Sequence, residues 1–496
     1  MISRNRVLLT SAILLFIALV KSIFFSFYGF GIVDEGEILT HALRILHNQT
    51  PYRDFFAIFP PVHYYFSAWM LQLFGPHLIA PRIIASIIFT FVPVLVYLLS
   101  RRQGKELVAI LSATVIIFLD VNSYRLFFFA PILFSVWLLL NGLENRNEKM
   151  CTFAGFLLGM SAWFRIDFAG IFFIGLGIGL LVKQKTKSLI YLGIGYLFPI
   201  VGLLIWLIWN NLLPLFIENL ISRPILITKL HSLAFPVISE LVPLNLTVGT
   251  LGSMFNAVYG YSILLTLIVG VAVWLRKKNL ESEKIIFLIC GILFLPYFFG
   301  RSDLGHFIKA SFPSLILMPW IAGYSRRIEK IILFALVIIL IFGFGQSYWW
   351  LKFNNSTIVI GNENLRINAD YKQGSTVPSV NTLRESVDFI SKNTSSGEKT
   401  LVLPYMAGLY YLSQSLPPTK YNNILAGFIL DEREFIESTN WSEISAIVYD
   451  PTNGPKMVNH LVINYNPLLH RFIMDNYHTV KITPEGWFLM KSNNGK

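Results

Sequence analysis

Residues Val7–Tyr28 read VLLTSAILLFIALVKSIFFSFY, and a few residues later the chain reads Val33-Asp34-Glu35-Gly36-Glu37. A membrane-spanning helix needs about 20 mostly apolar residues, and the first run meets that length. Arg4 and Arg6 precede it, as basic residues precede a secretory signal. The run is longer than the ~7–15 residues of a signal core, and no small-residue cleavage site follows it. It therefore reads as a retained helix. The acidic cluster stands directly at its exit, where ionisable groups are expensive to place.

The rest of the chain agrees with a membrane setting. It has 496 residues, 54% of them hydrophobic and only 14% charged, with a mean hydropathy of +0.60. These values describe a polytopic membrane protein. Further spans are read at 79–100, 107–122, 125–142, 150–165, 168–182, 188–210, 250–275, 285–300, 307–323 and 330–350, eleven with the first. Pro61–Phe74 is apolar but short and enters through two consecutive prolines, so it reads as a helix on the membrane surface. Cys151 and Cys290 lie apart in apolar runs and support neither a disulfide framework nor a metal site.

Charge orients these spans. With the N-terminus in the cytoplasm, the inner segments are 1–6, 101–106, 143–149, 183–188, 276–284 and 325–330. They hold 17 Lys and Arg against 6 Glu, a net of +11 in a chain whose total is +12. That asymmetry is the positive-inside pattern. It also excludes a nucleic-acid surface, because the basic residues are split into small clusters between spans. Asp34, Glu35, Arg53, Asp54, Arg125, Arg165, Asp167, Arg301, Asp303 and His306 then fall on the outer side. ATP and nucleotide-sugars are cytoplasmic, so chemistry there needs an energy-rich substrate already carried across the membrane.

The outer segments have their own organisation. Residues 1–350 read as a transmembrane domain with a first outer loop at 29–78 and a second at 211–249. In the first, Glu37–His47 has apolar residues at Ile38, Leu39, Ala42, Leu43, Ile45 and Leu46, close to helical spacing. It reads as a helix in the outer interface, with Asp34 as its N-terminal cap. Residues 351–496 have the composition of a soluble domain. Leu401–Leu403 and Ile444–Tyr449 read as strands and Val380–Ser391 and Arg433–Thr439 as helices, which predicts a small extracytoplasmic α/β domain. Asn245-Leu-Thr, Asn393-Thr-Ser and Asn440-Trp-Ser match the glycosylation pattern, a short one that arises by chance.

Each charged constellation has a functional and a plain reading. Asp34-Glu35 is either a helix cap with a first-turn acid or a general base or metal ligand, since attack by a hydroxyl needs a carboxylate to accept its proton. Tyr52-Arg53-Asp54 is either a local ion pair that fixes a turn or an anion contact through Arg53. Arg165-Ile166-Asp167 joins two short spans, as a pair that satisfies an interfacial charge or as part of a site. Gly300-Arg301-Ser302-Asp303-Leu304-Gly305-His306 is a capped turn or a phosphate-binding turn. Lys309, about one turn further on, is within reach of the same surface.

An acidic pair after the first span, an outer helix, then Pro51-Tyr52-Arg53-Asp54-Phe55-Phe56 and Pro60-Pro61 together resemble the prokaryotic integral-membrane glycosyltransferases of the GT-C superfamily. The likeness is greatest to family 39/83-type and lipopolysaccharide-core (RgtA/B/C/D-like) transferases, relatives of the aminoarabinose transferases and protein O-mannosyltransferases. Arg165-Ile-Asp167 and Gly300-Arg-Ser-Asp-Leu-Gly-His306 resemble later motifs of the group. The resemblance covers most of residues 1–350 and does not specify the sugar.

It implies a mainly α, GT-C-like membrane protein of the bacterial inner membrane. The implied reaction is an inverting transfer from a polyprenyl-phosphate-linked sugar to a lipid, glycan or protein acceptor outside the cytoplasm. The first acid of the outer loop is the implied base, here Asp34, with Glu35 supporting it or binding a metal ion or the acceptor. A divalent metal ion is the one cofactor this reading admits. Aminoarabinose transferases hold the donor phosphate with a first-loop lysine that Pro60-Pro61-Val62-His63 lacks, which leaves Arg53 or His63 as substitutes. Asp120 is the nearest match to a second acid of some relatives. In physical terms, a carboxylate flanking the anomeric carbon both stabilises its developing positive charge and takes the acceptor proton. The leaving lipid phosphate stays charged and can be held by Arg53, Arg301 or His306. The rival readings are a lipid-linked glycan flippase, which would need ionisable groups near the membrane midplane, an O-antigen ligase or polymerase, and a structural scaffold.

Overall fold

The computed structural model describes residues 4–119, 125–225, 232–241, 248–277, 280–354, 356–360, 363–367, 378–394, 399–404, 406–424, 428–429, 431–451 and 462–493. Asp120 and Asn245-Leu-Thr lie outside the described residues. The protein is mainly helical and polytopic. Its helices begin with α1 (Arg4–Phe25), α2 (Asp34–Leu46), α3 (Pro61–Phe74), α4 (Ile79–Phe89), α5 (Phe91–Arg101), α6 (Glu106–Leu119), α7 (Phe129–Glu144), α8 (Glu148–Ala162), α9 (Ile166–Val182) and α10 (Thr186–Trp209). Val248–Arg276, the broken pair Ser282–Leu293 and Leu295–Gly300, then Leu304–Ala322 and Arg326–Phe353 follow. Every one of the eleven apolar stretches read from the sequence carries a helix. Among the described residues six of these segments are long and apolar enough to cross a membrane, and α6, α7 and α9 are shorter apolar helices. Helix is the form such segments must take, because it satisfies each backbone N–H and C=O where water is absent.

The chain forms two compact units. The first, helical unit comprises 1–26, 82–206 and 232–349. Five of its segments read as inner loops are joined by ion pairs. Arg102 pairs with Glu144 and Glu283, Lys105 with Glu329, and Lys187 with Glu148. Elsewhere in this unit α8 and α10 approach through glycine. A Cβ on Gly155 would stand 2.1 Å from the Leu192 carbonyl oxygen, and one on Gly195 would stand 1.9 Å from that of Thr152. Small residues permit this kind of close packing between apolar helices.

The second, mixed unit comprises 27–81, 207–231 and 350–496. The first outer loop thus groups with the tail, where the chain order suggested a division near 350. The cause is apolar packing. Phe30, Ile32, Leu39, Ala42, Ala68, Leu71 and Leu78 share one core with Val380, Leu383, Val402, Leu409, Tyr410, Val448 and Leu489. Helix α2, expected in the membrane interface, is buried in protein on its apolar face. α3 is a helix as expected, with Trp69, Leu73 and Phe74 exposed along one side. The tail strands are β1 (Ser356–Ile360) and β2 (Glu363–Ile367), an antiparallel hairpin, and β3 (Lys399–Leu403), β4 (Ile444–Tyr449), β5 (Tyr477–Ile482) and β6 (Phe488–Ser492). The last four form one sheet in the order β3-β4-β6-β5, with only β3 and β4 parallel.

The tightest contact between the first loop and the tail is glycine on glycine. A Cβ on Gly36 would lie 2.4 Å from both Cα and N of Gly408. Beside it the Gly408 N–H donates to the Ile32 carbonyl at 2.8 Å, and Thr40 Oγ1 donates to the Ala407 carbonyl at 2.7 Å. Backbone has nowhere to yield here. Gly36→Ala is expected to destabilise the mixed unit by about 1–3 kcal/mol, seen as an earlier thermal transition of the detergent-solubilised chain. An unchanged transition would show that the contact is looser than this geometry.

Candidate active site

In the mixed unit, the chain leaving α1 is pinned by the Gly29 N–H, which donates to the Arg366 carbonyl at 2.7 Å. α2 then begins. Val33 occupies the N-cap position without a side-chain capping bond, so Asp34 is the first helical residue and not the cap. It is exposed, at the positive end of the helix dipole. Glu35 is buried and accepts the Gly31 N–H at 3.1 Å, a bond that closes the turn into the helix.

Asp34, Glu37, His41 and Arg44 repeat every three or four residues and so share one face of α2. That face meets the tail. Asn423 Oδ1 accepts the Ala407 N–H at 3.2 Å, which turns its amide nitrogen toward Glu37 Oε2, 3.1 Å away. Burial and the charge of Asp34 push the Glu37 carboxyl up to about 7, against the bond from Asn423. His41 stacks on Phe55 at 4.6 Å, and burial, with the Arg44 charge, holds it well below the usual histidine range. Arg44 is buried and fully engaged. It donates to Gln49, to the Thr419 and Asp54 carbonyls and to Asn422 at 2.6–2.9 Å.

Arg53 and Asp54 form the local pair. Arg53 Nε and Nη2 donate to the two Asp54 oxygens at 3.2 and 3.1 Å, and Nη2 also donates to Thr50 Oγ1 at 2.8 Å. Thr50 N–H donates to Asp54 at 2.6 Å. These bonds fix the turn in which Tyr52 takes φ +71°. His63 packs its ring against Phe59 at 4.6 Å, within an aromatic cluster at the start of α3.

The helical unit holds the second constellation, at the ends of its helices. Arg165 is buried at the N-cap of α9 and grips Asp167 with two bonds, 3.0 and 2.7 Å. Its guanidinium lies over Phe168 and Phe128, 4.4 and 5.1 Å from the ring centroids. Asp303 caps the helix Leu304–Ala322 through the His306 N–H at 3.0 Å. The same carboxylate accepts Arg301 Nε at 2.8 Å and meets His306 Nδ1 at 2.8 Å. Burial pushes Asp303 up, but the bonds from His306 and the charges around it outweigh burial and hold it far below the usual carboxylate range.

The structure brings these two motifs together through a residue that the sequence did not single out. Tyr297 bonds to Arg165 and lies on the His306 ring, with centroids 4.9 Å apart at 30°. Lys309 adds positive charge near Asp167. One of 21 tyrosines, Tyr297 carries no motif signal of its own. Among the described residues no group of three or more His, Cys, Asp or Glu side chains converges in the way a metal ion needs.

No family model matches the chain, and no curated protein matches it. Among solved structures, the crystal structure of ArnT from Cupriavidus metallidurans bound to undecaprenyl phosphate is similar over 99% of this chain and 98% of that chain. The identity is 12% and the TM-score 0.44.

Glu37 makes the stability of the mixed unit depend on pH. Unfolded, its carboxyl titrates near 4.5, and folded, near 7. Stabilisation from this group is therefore complete below 4.5 and is lost as pH rises through 7. Glu37→Gln keeps an acceptor for Asn423 and removes the charge. It should stabilise the protein by up to about 3 kcal/mol at pH 8 and by nothing at pH 4. Thermal melts at the two pH values check this, and a gain equal at both would contradict the assignment.

Proposed function

We propose that this chain transfers a sugar from a polyprenyl-phosphate-linked donor to an acceptor on the outer face of the membrane, with inversion. The observation that carries the reading is the double grip of Asp303. By taking Arg301 through Nε and His306 through Nδ1, it leaves the Arg301 Nη edge and the imidazole Nε2 for a ligand. Arg301 keeps substantial side-chain exposure, 40%, and His306 keeps 26%. A guanidinium edge beside an imidazole suits a phosphate. A carboxylate that orients a guanidinium and an imidazole is itself a positioning group, so Asp303 is excluded as a phosphate ligand.

Helices of membrane-spanning length support a lipid-borne donor, and the positive-inside count supports an outer position for both constellations. The acceptor class (a lipid, glycan or protein) stays open, as does the sugar. In such a transfer the acceptor hydroxyl gives its proton to a carboxylate, its oxygen bonds to the anomeric carbon, and the carbon–oxygen bond to the lipid phosphate breaks, the electron pair leaving with the phosphate. Within the helical unit Arg301 and His306 are the groups suited to that charge. Asp34 is the choice for the base because it is exposed while Glu35 is buried on a backbone N–H. Arg53 is less suited to the phosphate, because Asp54 and Thr50 already occupy its Nε and Nη2.

The test is transfer from a radiolabelled polyprenyl-phosphate-sugar in membranes carrying the full chain. Asp34→Asn should leave the melting temperature unchanged and cut the rate by about 100-fold or more, the scale of a lost general base. Near-normal transfer by this variant would remove Asp34 from the mechanism.

A further inference from the structure

Arg165 and Asp167 form a bidentate charge pair, yet Arg165 is not placed to meet a ligand in the way that Arg301 and His306 are. The Arg165 guanidinium is only 8% exposed, both oxygens of Asp167 hold it, and two phenylalanine rings flank it. Among its described surroundings, Tyr297 leads on to the phosphate-binding turn.

Tyr297 is set by a local break. The helix Ser282–Leu293 ends at Phe294, and a short helix restarts at Leu295 with Pro296 in its first turn. Proline lacks the N–H that would continue the first helix and suits the first turn of the next. The restart brings the Tyr297 ring between two neighbours. Its edge meets Phe168 at 5.1 Å and 70°, and its face lies on His306 at 4.9 Å and 30°. Its hydroxyl oxygen accepts from Arg165.

The His306 imidazole has two constraints. The bond from Nδ1 to Asp303 sets one edge of the ring, but a single bond leaves the ring free to tilt. The stack on Tyr297 removes that tilt. On this basis, and resting on the donor-phosphate reading above, we infer that Tyr297 is a positioning residue. It transmits the rigid Arg165–Asp167 pair to His306 and so aims Nε2 at the donor phosphate. Arg165 and Asp167 are then supports, and the phosphate is met by Arg301 and His306. An orienting shell of this kind is typically worth 10–100-fold when it is removed from a metal-ligating histidine, and a loss of about tenfold is expected here.

The experiment is binding of undecaprenyl phosphate to the purified, detergent-solubilised full chain, followed by intrinsic tryptophan fluorescence. Tyr297→Leu should weaken binding about tenfold, and Tyr297→Phe, which keeps the ring, should recover most of that loss. In a His306→Gln background Tyr297→Leu should cost nothing more, because the ring it aims is gone. A structural role would instead lower binding by the same factor in both backgrounds, and that result overturns the inference. Wild-type affinity in Tyr297→Leu also overturns it. If Tyr297→Leu does not fold, the same cycle is run with Tyr297→Phe, whose smaller loss must likewise vanish beside His306→Gln. Failure of the wild-type chain to bind undecaprenyl phosphate, or binding that Arg301→Gln leaves unaltered, would overturn the donor reading and this inference with it.

Discussion

A charge at the end of an apolar helix cannot be left without a partner, and the choice of partner decides what the charge can still do. Asp303 shows this most clearly. It caps a helix, holds a guanidinium and holds an imidazole with one carboxylate, yet leaves the outer edges of both groups available. Arg165 illustrates the opposite outcome. Its pairing with Asp167 is bidentate, with the guanidinium buried and the carboxylate exposed, and what remains of Arg165 is a rigid support. Two motifs that look equivalent as sequence therefore take different roles once their hydrogen bonds are counted.

The first outer loop follows the same logic within the mixed unit. Arg44 is a buried guanidinium that joins α2 to the 50–54 turn and to the 419–422 segment of the tail. A buried cation held by carbonyls and amides is costly to disturb, because each donor left unpaired carries its full desolvation penalty. That network keeps α2 in register. It leaves Asp34 exposed at the helix start and Glu37 against Asn423. The tail is thus an integral part of how the loop is held.

Much of this was legible in the sequence. The apolar stretches were visible because length and hydropathy alone make a membrane helix. The segments read as inner loops stood out because basic residues cluster there, and ion pairs join five of them. In the tail, the strands at 401–403 and 444–449 and the helices near 380 and 433 were visible from local periodicity. β5 and β6 were not, nor was the β1–β2 hairpin, since short strands among polar residues carry weak alternation. The grouping of 27–81 with 350–496 was hidden because it depends on contacts more than 300 residues apart, such as Gly36 on Gly408. The capping role assigned to Asp34 moved because Val33 holds that position and Glu35 closes the turn. Tyr297 was illegible because its importance comes from two partners, Arg165 and His306, more than a hundred positions apart from each other.

The central claim is that this chain consumes a polyprenyl-phosphate-linked sugar outside the cytoplasm. Mass spectrometry of lipids and surface glycans from a strain lacking the gene tests it most directly. The account predicts a surface glycan, lipid or protein missing one sugar, together with accumulated polyprenyl-phosphate-sugar. An unaltered glycan and lipid profile would contradict it.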